Sequence, residues 1–502
     1  MSFGIAICVI MLYSECTMIY DLIIIGAGAA GLFAAANVPD GFNTLVLERT
    51  DSPGKKLLLT GSGQCNLTNN EPIKAFLNRY GENGKKLRPV LFPFSNMALM
   101  EYFEEHGLPL LTREDGKVFP ASMRSADVLS FLLQRCEDKN VEIRYNANVT
   151  KIECSGEVED YKYCVHTASG SARQGDGSSV LTTQDRGTVP MSCPLSCNKA
   201  VIADPDPQSP RCNADSESSD KRFFARRILI ATGGESYPQT GSNGSMFECL
   251  EHLGLELVPR RPALTSIYVE GYPYSELSGL TFANSSIKLE TSLFPKDRAS
   301  QSSSNVDGST VETSSCDAVE GSKVFCYNGS LLFTHKGLSG PPVLALSRYA
   351  RQGDRIIINY LPGRATDELR LELIKSASGD LRQTITLLES HTALPRSFLE
   401  NICHTSGVDR SEKASRLTGK EMGVIASRLA ADSHVVRGTG DFSTAMTTAG
   451  GVDLDEIDLK TMEAKRFPGL YFAGEVLDVD GDTGGYNLQF AFSSAMRCID
   501  TL

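Results

Sequence analysis

The stretch Tyr20-Asp-Leu-Ile-Ile-Ile-Gly26-Ala-Gly28-Ala-Ala-Gly31-Leu-Phe-Ala-Ala-Ala36 decides how this chain folds. In its first half, Leu22 to Ile25 form an apolar run, which is typical of a strand buried on both faces of a parallel sheet. Its second half opens a helix. Between them, the first glycine permits a tight turn, the second lets the backbone approach a pyrophosphate, and the third lets the helix pack closely on the strand.

A second apolar run, Thr44-Leu-Val-Leu, ends in the acid Glu48 at the distance expected for a carboxylate that binds a ribose. Strand, glycines, helix, strand and acid follow one another in the order of a dinucleotide site. The alternative is a βαβ unit with the same glycines and no ligand. The residues predicted to bind the ligand here are Gly26, Gly28, Ala29, Ala30, Gly31 and Glu48.

The end of the chain supplies a second glycine turn. Gly469-Leu-Tyr-Phe-Ala-Gly-Glu-Val-Leu-Asp478 forms an apolar strand followed by a loop, and Gly484-Gly485 lead into a helix predicted to start near Asn487. Glycines before a helix let backbone N–H groups approach an anionic or electron-rich ligand, and the helix dipole adds positive potential there. The two ends of the chain are therefore expected to share one ligand.

Composition narrows the class of protein. The chain has 502 residues, 41% hydrophobic and 22% charged, so it can bury a large core and form more than one domain. A net charge of −12 argues against a general polyanion binder, although Arg226-Arg227 and Arg260-Arg261 leave room for a local basic patch. The alternative is that these arginines are solvated.

The cysteine pattern and the apolar segments indicate in which cellular compartment the protein is expected. Fourteen cysteines without a disulfide framework suit a reducing cytoplasm. Cys193, Cys197 and Cys212 have no histidine nearby, so no metal is predicted there. Residues 1–17 contain an apolar run without Lys or Arg, and we interpret them as a start codon assigned too early, with Met18 as the true first residue, or as a disordered extension. No other segment has the ~18–20 apolar residues of a membrane helix.

The pattern along the chain predicts a discontinuous first domain with a second one inserted. Residues 18–262 alternate strands and helices, and residues 263–440 contain short strands with turns and a helical stretch at 366–431. Residues 441–502 return to the first domain. Two segments rich in Ser and other small or polar residues, 169–221 and 292–322, are interpreted as low-complexity insertions.

Several longer motifs resemble the BaiN/RdsA family of NAD(P)/FAD-dependent oxidoreductases, also described as aminoacetone-oxidase-family FAD-binding enzymes. They are Gly54-Lys-Lys-Leu-Leu-Leu-Thr-Gly-Ser-Gly-Gln-Cys-Asn66, Gly116-Lys-Val-Phe-Pro-Ala-Ser122, Ala231-Thr-Gly-Gly234, Leu331-Leu-Phe-Thr-His-Lys-Gly-Leu-Ser-Gly-Pro341, Gly450-Gly-Val452 and the terminal segment. The resemblance implies an α/β fold: a Rossmann-like FAD-binding domain, similar to glutathione reductase, with an inserted β-barrel domain that carries a helical subdomain. Gln64 stands where the family usually has Arg.

The resemblance also implies that the cofactor is FAD, and a flavin gains negative charge on reduction that the terminal helix would stabilise by about 1 kcal/mol. Gly474 and either Glu475 or Asp478 are expected near the ribityl chain, with loop solvation or capping as the alternative for the acids. The remaining predicted cofactor-binding residues are Arg49, Lys55, Gly63, Gln64, Cys65, Asn66, Val149, Ala231, Thr232, Gly233, Gly234, Gly485, Tyr486, Asn487 and Leu488.

Two residues are candidates for acid–base chemistry. Cys65 has no cysteine partner within several residues, so a dithiol mechanism is not expected, and its thiol is either a proton donor beside the flavin or simply packed in a loop. His335 is an acid, a base or a substrate-orienting group, or else a hydrogen-bonded loop residue. Tyr486 either packs on the flavin or has a general structural role.

The electron donor and the substrate remain open. The chain contains no second G-x-G-x-x-G, so NAD(P)H is expected only as a transient donor that reaches the flavin through the cleft. The resemblance implies amine oxidation, reduction of enone-like double bonds in steroid-type molecules, or reduction of uridine in ribosomal RNA. A flavin-binding redox sensor without catalysis is the alternative of another class. A metal and a membrane are not expected.

Overall fold

The computed structural model describes residues 18–155, 161–169, 221–292 and 322–502. The predicted N-terminal extension and all but the end residues of the two predicted insertions lie outside this part. The strands are β1 (Ile19–Tyr20), β2 (Leu22–Ile25), β3 (Thr44–Leu47), β4 (Thr68–Asn69), β5 (Leu110–Thr112), β6 (Lys117–Pro120), β7 (Glu142–Arg144), β8 (Ala147–Cys154), β9 (Tyr163–Ser169), β10 (Lys221–Ala225), β11 (Ile228–Ile230), β12 (Leu257–Ala263), β13 (Ile267–Val269), β14 (Thr281–Ser292), β15 (Ser322–Phe333), β16 (Leu338–Ser339), β17 (Arg355–Asn359), β18 (Asp432–Thr439), β19 (Thr447–Val452), β20 (Ile457–Asp458), β21 (Glu463–Ala464) and β22 (Leu470–Phe472).

The helices follow in the same order. They are α1 (Ala29–Ala35), α2 (Lys55–Leu59), α3 (Ile73–Phe76), α4 (Arg88–Leu91), α5 (Asn96–Glu105), α6 (Ser125–Asp138), α7 (Ser245–His252), α8 (Pro341–Ser347), α9 (Thr366–Ala377), α10 (Thr384–His391), α11 (Arg396–Thr405), α12 (Gly419–Ala430) and α13 (Tyr486–Ile499). None of the helices in the described ranges is long and apolar enough to cross a membrane.

A seven-stranded sheet forms the centre of the first domain, in the order β20-β21-β22-β11-β2-β3-β7. The pairs from β22 through β11, β2 and β3 to β7 are parallel. Strand β2 is buried along its whole length, as its apolar run predicts. Strand β22, from the far end of the chain, is separated from β2 only by β11, and this arrangement brings the two glycine turns to one edge of the sheet.

The predicted barrel is also present. Strands β13, β16, β15, β14, β17 and β18 close into a barrel, and helices α9 to α12 lie in the stretch predicted to be helical. The barrel strands and these helices bury a common apolar core. The predicted fold class, a Rossmann-like α/β domain with an inserted β-barrel, is confirmed. The domain boundaries stay a prediction.

A two-stranded antiparallel ribbon carries the chain into the barrel and out of it. Strand β12 pairs with β19, with Ala263 opposite Thr447 and Leu257 opposite Val452. At Gly450 the backbone has φ = +90°, and a side chain there would meet the carbonyl oxygen of Pro259 at 2.4 Å. The two connections between the sheet domain and the barrel, one through β12 and one through β19, therefore lie side by side. They are next to the carboxyl edge of the parallel sheet.

Candidate functional site

A large cleft opens at the carboxyl ends of β2, β3, β11 and β22. It encloses about 1360 Å³ of empty space, including its opening to solvent, and residues from both ends of the chain line it. In parallel α/β sheets, ligands bind in the crevice outside the carboxyl ends of the strands. The position of this cleft agrees with that rule.

The three glycines of the first loop have three different environments. Gly26 has φ = +103°, and a side chain there would meet the carbonyl oxygen of Ala231 at 2.6 Å. At Gly31 a side chain would meet the carbonyl oxygen of Gly26 at 1.9 Å, so Gly31 lies beneath the loop and lets α1 pack on it. A side chain at Gly28 would meet nothing within 4 Å, and Gly28 lines the cleft. The backbone at Gly28 is thus open to a ligand that needs close approach.

Glu48 lies at the end of β3 and lines the cleft. Its Oε2 accepts a hydrogen bond from the Ala27 backbone N–H at 2.8 Å, and its Oε1 accepts from both the N–H and the hydroxyl of Thr50, each at 2.8 Å. Next to it, Arg49 donates to the carbonyl of Gly241 at 2.7 Å, and burial lowers the pKa of its guanidinium. The carboxylate is held in a fixed orientation at the edge of the cleft.

Thr232 provides an independent sign of a ligand. It follows β11 in the Ala231–Gly234 turn and lines the cleft, and its hydroxyl oxygen is buried without a hydrogen-bond partner. Buried polar atoms are normally hydrogen-bonded, so this hydroxyl fits a site that a polar ligand completes. Together with the open backbone at Gly28, this hydroxyl fits a phosphate-bearing cofactor such as FAD.

Lys56 also lines the cleft, although it is not among the residues predicted from the sequence. Its ammonium donates to Glu475 Oε2 at 2.5 Å and to the hydroxyl of Ser236, which in turn donates to Glu475 Oε1 at 2.5 Å. The backbone N–H of Thr448 also donates to Glu475 Oε1, at 2.9 Å. The predicted neighbour Lys55 lines the cleft but pairs with Asp51 at 2.6 Å.

Most of the predicted cofactor-binding residues line the cleft. These are Gly26, Gly28, Ala29, Ala30, Glu48, Arg49, Lys55, Val149, Ala231, Thr232, Gly233, Gly234, Gly474, Glu475, Asn487 and Leu488. Eight others lie outside the lining: Gly31, Gly63, Gln64, Cys65, Asn66, Asp478, Gly485 and Tyr486.

Cys65 is fully buried, at a backbone φ of +60°. Burial raises the pKa of its thiol to about 12, against a smaller opposing effect of a hydrogen bond with Thr60. The structure therefore places the thiol in the protein interior and not among the residues that line the cleft. His335, the other acid–base candidate, is exposed in the turn between β15 and β16 and does not line the cleft either.

Contacts with neighbouring backbone and side chains fix the first turn of α13. Gly485 has φ = +99°, and a side chain there would meet the backbone of Thr68 at 2.6 Å. In its hydrogen-bonded orientation, the Asn66 amide oxygen accepts from the Gly485 N–H at 3.1 Å. Asn487 braces the preceding loop, accepting from the N–H of Gly481 at 2.8 Å and donating to its carbonyl at 2.9 Å.

The ring of Tyr486 also lies behind the cleft. It packs edge-on against Phe76, with ring centroids 5.0 Å apart, and its hydroxyl donates to Glu71 at 2.8 Å. Asp478, also predicted near the cofactor, accepts from the Asn83 side chain at 3.1 Å, and burial raises the pKa of its carboxyl. These contacts fix the loop between β22 and α13, which borders the cleft.

A buried charge network joins this loop to the barrel. Arg348, just after α8, is almost fully buried and donates to Asp482 Oδ1 at 2.7 Å and to the backbone carbonyl of Asp480 at 3.0 Å. Arg79 lies 4.0 Å from the other oxygen of Asp482 and makes two hydrogen bonds to Glu71. Burial raises the pKa of the Asp482 carboxyl, and the two arginines oppose that rise.

Fold and cleft together define a protein with a Rossmann-type dinucleotide-binding site. The chain belongs to the HI0933-like family: the family described as "HI0933-like protein Rossmann domain" matches residues 20–184 and 199–500. The resemblance stated from the sequence motifs is confirmed.

Curated relatives match over nearly the whole chain. A ribosomal RNA dihydrouridine synthase from Escherichia coli (strain K12) is 28% identical over 488 residues, covering 96% of this chain and 98% of the relative. A 3-dehydro-bile acid delta(4,6)-reductase from Clostridium scindens is 26% identical over 482 residues, covering 94% and 96%. Among solved structures, a 3-ketosteroid-delta4-(5alpha)-dehydrogenase from Rhodococcus jostii RHA1 covers 97% of this chain and 98% of its own, at 13% identity and a TM-score of 0.43.

Proposed function

We propose that this protein uses FAD and NAD(P)H to add two hydrogen atoms to a carbon–carbon double bond conjugated to a carbonyl group, with uridine in ribosomal RNA as the first candidate substrate. The observation that carries the cofactor assignment is the cleft in which Gly28 leaves the backbone open and Thr232 leaves a buried hydroxyl unpartnered. The substrate is held between the sheet and the inserted barrel.

The names of two relatives support the type of reaction. Dihydrouridine differs from uridine by two hydrogens across a ring double bond that is conjugated to a carbonyl, and a 3-dehydro-bile acid with a delta(4,6) system has the same conjugation. Both reactions need a hydride at one carbon and a proton at the other. Their shared chemistry favours reduction of an activated double bond over amine oxidation.

The side chains of the cleft provide the binding functions that this proposal needs. Bound FAD, once reduced by a hydride from NAD(P)H, would supply the hydride to the substrate. Backbone N–H groups of the Gly26–Ala30 loop would bind its phosphates, and Glu48 would accept hydrogen bonds from ribose hydroxyls. Lys56, from the N-terminal part of the chain, and Glu475, from the C-terminal part, hold each other in place in the cleft. There they would orient polar groups of the cofactor.

Reduction of the double bond also requires a proton donor. Cys65 and His335 stay predictions for that role, although neither lines the cleft. Lys56 does line the cleft, and its hydrogen-bonded pairing with Glu475 fixes its position. A small enone in place of RNA is the second candidate substrate, and the nearly equal identity of the bile acid reductase favours keeping it.

The test combines a spectrum with two substrates. The purified protein should be yellow, and anaerobic NADH or NADPH should bleach it within the time of turnover. Unmodified ribosomal RNA and a 3-oxo-delta4 steroid are then supplied separately, and the products are identified by mass spectrometry. Dihydrouridine that forms in RNA, with binding that weakens as salt rises, supports the first candidate. A reduced steroid alone supports the second.

Two outcomes contradict the proposal. A protein that takes up no FAD would refute the cofactor assignment. Bound flavin that neither nicotinamide reduces would refute the donor and would instead favour the non-catalytic redox sensor.

A further inference from the structure

A cluster of three metal-ligating side chains lies outside the cleft, on the antiparallel strands β8 and β9. Glu153 of β8 is the direct cross-strand partner of Cys164 on β9, and His166 follows two residues later on the same face. His166 Nε2 lies 3.5 Å from the Cys164 sulfur and 3.0 Å from Glu153 Oε2. One ligand atom from each residue lies within 4.8 Å of the other two.

Two of these three distances are close to the edges of a tetrahedron around one ion. Zinc bonds of about 2.3 Å to sulfur and about 2.0–2.2 Å to nitrogen and oxygen place ligand atoms about 3.4–3.6 Å apart at tetrahedral angles. The sulfur–nitrogen and nitrogen–oxygen distances of 3.5 and 3.0 Å are already close to that range. The sulfur–oxygen distance of at most 4.8 Å needs to shorten by no more than about 1.2 Å.

The environment suits a cation with one open position. Cys164 is 7% exposed, whereas the side chains of His166 and Glu153 are 22% and 44% exposed. The cluster is therefore buried on the cysteine side and accessible to solvent on the side of the other two residues. Lys151 lies 2.5 Å from Glu153 Oε1 and leaves Oε2 directed toward His166. A thiolate and a carboxylate together balance the charge of a divalent ion.

We propose that Glu153, Cys164 and His166 bind Zn²⁺, with water as the fourth ligand. The mixed sulfur, nitrogen and oxygen donors select a borderline cation such as Zn²⁺ over Mg²⁺ or Ca²⁺, which prefer oxygen alone. Binding replaces the thiol proton of Cys164 by the metal, so one proton is released per ion. The ion joins β8 to β9 four residues from Val149, which lines the cofactor cleft.

The experiment uses the full chain, without a histidine tag, stripped with a chelator and titrated with Zn²⁺. Co²⁺ serves as a coloured probe, because a cysteine ligand gives a thiolate-to-metal charge-transfer band. We expect one Zn²⁺ per chain, and C164S and H166N should each weaken binding by at least about tenfold. Bound FAD and circular dichroism establish that the variants fold.

Two controls separate this cluster from other thiols. Cys154 is exposed on the same strand as Glu153, so C154S should bind Zn²⁺ like the unmodified chain. A C193S/C197S variant, altered only outside the described residues, should do the same. Lys151→Ala removes a competing cation and should tighten binding, a gain that misfolding would not produce.

The alternatives are equally measurable. No stoichiometric Zn²⁺, or Zn²⁺ retained in both C164S and H166N, would overturn the site. Loss of Zn²⁺ in C193S/C197S with retention in C164S would place the metal elsewhere and overturn it as well.

Discussion

Replacing Gly28 by valine should weaken cofactor binding strongly without unfolding the protein. Gly28 has φ = −85° and ψ = −169°, an extended conformation that any residue adopts, and a side chain there meets no atom within 4 Å. The stability of the cofactor-free protein should therefore change by no more than about 0.5 kcal/mol. The added methyl groups would occupy the space that a phosphate needs.

The size of the loss follows from the hydrogen bonds at stake. A hydrogen bond to a charged group contributes about 1.5–3 kcal/mol, so the loss of one such bond raises the Kd for FAD roughly 10- to 150-fold. Gly28→Ala, with a smaller side chain, should give a smaller increase. Flavin fluorescence titration measures Kd, and thermal unfolding of the cofactor-free protein measures stability.

Gly31→Ala is the matched control in the same loop. A side chain there would lie 1.9 Å from the carbonyl oxygen of Gly26, so α1 must move and the cofactor-free protein should lose about 1–3 kcal/mol. FAD binding should weaken in both Gly28→Val and Gly31→Ala, whereas the stability of the cofactor-free protein should fall only in Gly31→Ala. If Gly28→Val binds FAD within about threefold of the original Kd, the assignment of this loop to the phosphates is refuted.

Four further variants test the site and its support. Arg348→Met leaves Asp482 buried beside one fewer cation and should cost about 3–5 kcal/mol in urea unfolding, part of which Asp482→Asn recovers; a loss below about 1 kcal/mol would contradict the importance of this pair. Lys56→Met removes a charge-assisted hydrogen bond and should lower kcat/KM at least about tenfold in steady-state assays. Burial raises the pKa of Asp478, so the folded state binds the extra proton and this residue's contribution to stability falls as pH rises through its folded pKa. Asp478→Asn should therefore raise Tm at neutral pH and change it little near pH 4, where the carboxyl of the unfolded chain begins to take up its proton; equal effects at both pH values would be inconsistent with this. Cys65→Ala should keep turnover, since the thiol is buried outside the lining, and lost turnover with retained FAD would instead support its role as the acid.

The sequence was sufficient for features that depend on local spacing. The glycine loop, Glu48 and the apolar strand before each glycine turn are readable because each needs a particular residue at a fixed distance along the chain. The closed barrel could be anticipated only through the family resemblance, since short strands with turns do not specify which strands pair.

Features that depend on side-chain direction could not be predicted in the same way. Lys55 and Lys56 are adjacent and chemically identical in sequence, yet α2 directs one toward exposed Asp51 and the other toward Glu475, 419 residues later. Likewise, the φ of +60° at Cys65 turns the thiol into the interior, and no sequence pattern indicates that a non-glycine residue adopts this conformation. Tyr486 was ambiguous for the same reason, since its partners Phe76 and Glu71 come from another part of the chain.

The cleft formed by both ends of the chain has a consequence for biosynthesis. More than four hundred residues separate its first wall, around Gly26–Leu57, from its last, around Ala473–Ala491. At about 5–20 residues per second, a ribosome needs roughly 20–80 s to make the intervening segment. During that interval the β2–α1 loop exists without β22 and α13. Stable capture of the cofactor therefore has to wait until β22 and α13 have been synthesised and have packed beside the β2–α1 loop.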